Sequence, residues 1–90
     1  MKGERIPISE DRVAEAVKLL SSKIQDRLDE KGSHSYASSH ECLGIIAEEY
    51  HELVESVRSN RLDDFEKECL DLAVACVFAI ACKRAGALDW

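Results

Sequence analysis

At 90 residues the chain makes one small domain, 46% apolar and 33% charged, with few aromatic residues. Its net charge of −6 argues against tight binding to nucleic acid or to an anionic membrane through a basic surface. One proline and four glycines leave little turn chemistry for a strand-and-hairpin fold, so an all-helical chain is expected.

The opening segment, "MKGERIPISEDR", lacks the apolar stretch of a signal peptide. Ser9 then offers a side-chain cap for a first helix running to about Lys31, where Gly32 provides a left-handed stop. Val13, Val17, Leu20, Ile24 and Leu28 recur at steps of four and three and make one apolar stripe. "GSHSYASS" reads as a loop. Ser38 with Glu41 forms a capping box at the start of a second helix, which runs to about Ser59. Its expected core stripe is Leu43, Ile46, Tyr50, Leu53 and Val57. A short turn, "SNRLDD", puts Asn60 where a left-handed residue fits. Asp63 with Glu66 then resembles another capping box, opening a third helix that reaches about Arg84 and stops before Gly86.

Residues 69–82 of that third helix are apolar but for Asp71. Fourteen residues are too few to span a bilayer, so no membrane partner is expected. A helix apolar on all sides is a surrounded helix. Three helices hardly enclose one of their own, so the expected architecture is a three-helix antiparallel chain that completes a four-helix-type bundle by homo-oligomerisation. Cys42, Cys69, Cys76 and Cys82 all lie in these apolar runs without a CxxC pair, as buried thiols of a reducing, cytoplasmic protein do.

Acids interrupt two of the apolar patterns. With about 100° per residue and Ile46 set at zero, Glu49 falls about 60° to one side of the stripe and Glu52 about 120° to that side. Glu48 points almost directly away. Glu68 and Asp71 repeat the three-residue spacing on helix three. In an antiparallel hairpin turning near residue 60, Glu49 lies level with Asp71 and Glu52 level with Glu68. Four carboxylates gathered at one height repel one another and resist desolvation unless protonated or bridged by cations. Oxygen-only ligands suit a hard ion, Mg²⁺ or Mn²⁺. Acids at this spacing are also common on solvated helix faces; Asp71, at the head of the greasy run, fits that description least.

The string Glu48-Glu49-Tyr50-His51-Glu52, then 15 residues, then Glu68-Cys69-Leu70-Asp71 resembles the EExxE…ExxD signature of the all-α NTP pyrophosphatases (MazG-like). The resemblance covers about residues 38 to 84. It implies a helical bundle completed as a homodimer or homotetramer, and Mg²⁺-dependent cleavage of nucleoside triphosphates to monophosphate and pyrophosphate by a metal-activated water. It places the metal ligands at Glu49, Glu52, Glu68 and Asp71, with Glu48 as the less direct first acid of the motif. Glu49 or Glu52 would take the proton from the attacking water. Tyr36 and His40, in the loop and at the start of helix two, and the cations Lys31, Arg58, Lys83 and Arg84 are candidates for base or phosphate contacts; each has an equally ordinary surface role.

Departures from the pattern bear on the branch. Val74, Ala75 and Cys76 stand where phosphoribosyl-ATP pyrophosphohydrolases carry a His, and Ile46-Ala47 replaces their Lys-Gly. Two other readings compete. Glu48-x-x-His51 matches the ligand spacing of di-iron carboxylate bundles, although the pair points away from the expected core. A non-catalytic helical dimerisation or regulatory module would keep the acids without a substrate pocket.

Overall fold

The computed structural model describes residues 3–89, and among these there is no strand. Three helices follow in order: α1 Glu10–Lys31, α2 Ser39–Arg58 and α3 Leu62–Arg84. α2 and α3 form an antiparallel hairpin, and α1 packs on α3 rather than on α2.

The helix ends are set by local chemistry. Ser9 Oγ accepts from the Arg12 amide at 3.3 Å, and Gly32 at φ 78° ends α1 with its amide on the Leu28 carbonyl. At the start of α2, Ser38 Oγ accepts from the Glu41 amide at 3.2 Å. The Glu41 carboxylate reaches back one residue further than a capping box requires, accepting from the Ala37 amide at 2.7 Å. The turn after α2 is a Schellman motif: Asn60 sits at φ 55°, the Arg61 amide bonds to the Ser56 carbonyl and the Asn60 amide to the Val57 carbonyl. The same pattern closes α3, with Gly86 at φ 68° and the Ala87 amide on the Cys82 carbonyl.

Two local expectations are corrected. α3 starts at Leu62, so Asp63 lies inside the first turn instead of capping it; the N-cap is Arg61, which makes no side-chain cap bond. The Schellman turn uses residues 59–61, and the chain enters the helix directly afterwards. Asp63 and Asp64 still favour this end through the helix dipole, and Arg61 Nε holds Asp64 at 3.0 Å.

The second correction concerns the face of α2. Leu43, Tyr50 and Val57, expected in the core, are 64%, 58% and 55% exposed, whereas Cys42 and Ser56 are buried and Glu49 is half-buried. The seam against α3 therefore runs along Cys42, Ile45, Glu49 and Ser56, rotated roughly 90° from the most apolar stripe. Ser56 tolerates burial because its hydroxyl donates to the Leu53 carbonyl at 2.8 Å.

The chain is open. Among the described residues, the buried apolar ones are Cys42, Val74, Ala75 and Cys82. The radius of gyration is 15.3 Å, against about 12 Å for a compact chain of this length. The accessible surface is 7244 Å², roughly 2,000 Å² above that of a typical folded monomer of this mass. Residues 10–19 of α1 are all exposed, with Val13 and Val17 unpacked. No helix among the described residues is long and apolar enough to cross a membrane.

Candidate metal centre and its adjoining cleft

The α2–α3 seam brings Glu49 and Glu52 against Glu68 and Asp71. One oxygen from each carboxylate lies within 4.8 Å of the others. That is the height match expected from an antiparallel hairpin turning at Asn60. The rotation of α2 sets Glu49 on the seam itself, and the hairpin seals Glu68 to 9% exposure while Glu52 remains open to solvent.

The electrostatics are those of crowded like charges. Burial pushes the Glu49 carboxyl above its ordinary range, and Glu52, Asp71 and Glu68 push it further. The Glu52 carboxyl is raised as well, chiefly by its hydrogen-bonding contact with Glu68 and then by burial. One cation answers them: Lys67 Nζ lies 2.9 Å from Asp71 Oδ2 and 3.2 Å from Glu68 Oε1. Among the described residues, two buried carboxylate oxygens have no hydrogen-bond partner, Glu49 Oε2 and Glu68 Oε2. An unpartnered buried carboxylate oxygen is costly and calls for a cation or a proton.

This donor set fits a hard divalent ion. Ligands on opposite sides of Mg²⁺ stand about 4.2 Å apart, so oxygens already within 4.8 Å need only small side-chain shifts to close on one.

Two hollows flank the carboxylates, each of about 230 Å³. One is a cleft bounded by α1, where Glu49 and Asp71 face Lys23, Arg27 and Lys31, with Asp26 and Glu30 interleaved and Tyr36 at the wall. The other holds Glu52 and Glu68 with His51, Glu55, Arg61 and Asp64.

Arg27 is the best anchored cation of the cleft. Its guanidinium lies 3.7 Å over the Phe78 ring and 5.6 Å from the Tyr36 ring. It donates to the Gly32 carbonyl at 3.3 Å and to the Tyr36 hydroxyl at 3.4 Å. Tyr36 in turn meets Phe78 edge-on, with centroids 5.0 Å apart. The loop before α2 is thereby tied to both α1 and α3, and the Asp89 amide pins it again at the Ala37 carbonyl.

Comparison with known protein families, curated proteins and solved structures gives no significant match.

The four acids singled out by spacing are therefore together in space. Glu48 is exposed on the outer side of α2, and His51 borders the second hollow rather than joining the carboxylates. Of the weaker candidates, Tyr36 and Lys31 line the cleft, whereas His40, Arg58, Lys83 and Arg84 are exposed and do not. Sequence reasoning passed over Lys23 and Arg27. A signal was there: Arg27 falls about 60° from Ile24 on the helical wheel, a cation on the flank of an apolar stripe. Lys67 was also missed, although its i,i+4 spacing to Asp71 was legible.

Proposed function

We propose that the chain is a Mg²⁺-dependent nucleoside triphosphate pyrophosphohydrolase that releases monophosphate and pyrophosphate. The observation that carries this reading is the pair of unpartnered buried oxygens, Glu49 Oε2 and Glu68 Oε2, inside a four-carboxylate cluster. The cleft beside it sets Lys23, Arg27 and Lys31, interleaved with Asp26 and Glu30, across from Glu49 and Asp71, which gives phosphate groups cations to meet opposite the carboxylates.

Glu49, Glu52, Glu68 and Asp71 would hold the divalent ion, which would supply charge neutralisation of the triphosphate and a more acidic water. The chain's own residues do the rest. Lys23 and Lys31 meet phosphate oxygens as mobile point charges, while Arg27, held by Gly32, Tyr36 and Phe78, adds a fixed positive charge to the cleft wall. Glu49 or Glu52, through an oxygen not taken up by the ion, accepts the proton of the attacking water. Tyr36 shapes the cleft wall rather than offering a free stacking face, since Phe78 and Arg27 occupy its ring.

The working form in this reading is a homodimer or homotetramer in the cytoplasm. The apolar stripe of α2 and the surface excess support association, and four free thiols suit a reducing compartment. Pyrophosphate release from a panel of ribo- and deoxyribonucleoside triphosphates with Mg²⁺, comparing wild type with Asp71→Asn, is the test. Turnover that falls about 100-fold or more in the variant is the expected result, since the ion's charge stabilisation amounts to several kcal/mol. No turnover of any nucleotide by wild type would instead favour a non-catalytic helical module.

A further inference from the structure

Lys67 stands out because it reaches two carboxylates at once. A helical lysine pairs easily with the residue four positions on, but the adjacent residue points about 100° away. Yet Lys67 Nζ bonds Asp71 Oδ2 at 2.9 Å and Glu68 Oε1 at 3.2 Å. Its side chain is 61% exposed, so the stem lies over the outside of α3 and the ammonium enters at the edge of the carboxylate cluster. Arg61 is engaged with Asp64 and Arg27 with Tyr36 and Phe78, and Lys23 and Lys31 stand across the cleft on α1, whereas Lys67 bonds two of the four carboxylates directly.

From this geometry we infer that Lys67 is a tethered counter-cation of the carboxylate site, partly neutralising it in the metal-free protein and competing with a divalent ion for Glu68 and Asp71. The inference rests on the metal-site reading given above. Four carboxylates at contact distance carry more negative charge than one ammonium balances, which leaves the cluster attractive to a dication. An ion drawn to these oxygens meets a positive charge a few ångströms away, and it takes lone pairs that Lys67 now uses. The exposed four-carbon stem lets the ammonium swing outward at little cost. Lys67 thus relieves repulsion within the empty site from its own helix, α3, and sets the ion concentration at which the site fills. It is a positioning and tuning residue, and it takes no part in bond cleavage.

The test is isothermal titration of the full chain with Mg²⁺ alone and with Mn²⁺ alone, with free Mn²⁺ counted by electron paramagnetic resonance. Wild type is compared with Lys67→Met, Lys67→Gln and Lys67→Arg, and helicity is checked by circular dichroism. Both neutral variants are expected to bind the ion about 3- to 10-fold more tightly, the size of one or two exposed ion pairs plus the removed repulsion. Lys67→Arg, which keeps the charge, is expected within about twofold of wild type. The two neutral variants guard against one of them failing to fold. Neutral variants that bind the ion equally or more weakly would overturn the counter-cation role while leaving the metal site standing. Wild type that binds neither ion would overturn the metal site and this inference together.

Discussion

Glu49 shows how one residue is governed by its neighbours. Burial first, then Glu52, Asp71 and Glu68, hold its carboxyl above the ordinary range, with Lys67 opposing them. The metal-free folded state therefore binds this proton more tightly than the unfolded chain does. Stability from protonated Glu49 is full below the ordinary glutamate range and is lost as pH rises through the elevated folded value. Glu49→Gln removes that titration. In the presence of chelator, its thermal midpoint is expected to fall less between about pH 4 and pH 7 than that of wild type, and to lie higher near neutrality. Mg²⁺ is expected to raise the midpoint of wild type much more than that of the variant, because only the folded state binds the ion. Parallel pH profiles for the two proteins would contradict this account. Much at this scale was legible in the sequence: the three-residue spacings of Glu49–Glu52 and Glu68–Asp71 name the acids. Lys67 and Arg27 were not recognised, because a cation's partner depends on where its flexible stem lies and on what stands across from it.

At the scale of elements, the hairpin turn decides whether those acids meet. Asn60 occupies the left-handed region at φ 55°, and the Arg61-to-Ser56 bond closes the motif. A β-branched residue there is strained, so Asn60→Val is expected to lower unfolding stability by about 1–2 kcal/mol. Asn60→Gly is expected to match or slightly exceed wild type in the same chemical denaturation experiment. If valine were tolerated as well as glycine, the turn would not be what holds the register. The turn was readable because Asn between two periodic segments has a specific backbone use. The start of α3 was not, since Asp63 can cap a helix or sit in its first turn, and only the path of the preceding turn chooses.

For the whole molecule, the decisive feature is what the chain leaves uncovered. Leu43, Tyr50 and Val57 recur every seven residues along the outer face of α2, and all three are more than half exposed. A seven-residue apolar repeat is the pattern of a helix–helix seam. The surface excess of roughly 2,000 Å² per chain is enough for a stable interface between copies. Sedimentation equilibrium is expected to give a dimer or tetramer. Tyr50→Glu is expected to shift it toward monomer, and a monomeric wild type at tens of micromolar would count against association through this face.

The sequence by itself determined three helices, their ends to within a residue or so at most places, and the four acids that share one height. These follow from local chemistry: caps, left-handed stops and a 3.6-residue period act within a few residues. It also marked an apolar stripe on α2, but not the partner of that stripe. Hydrophobicity states that a face is to be covered and does not say by which neighbour. Tertiary structure alone turned the carboxylate face of α2 toward α3 and the greasier face outward. It alone laid the cations of α1 across from the acids, because the docking angle of one helix on another depends on contacts distant along the chain.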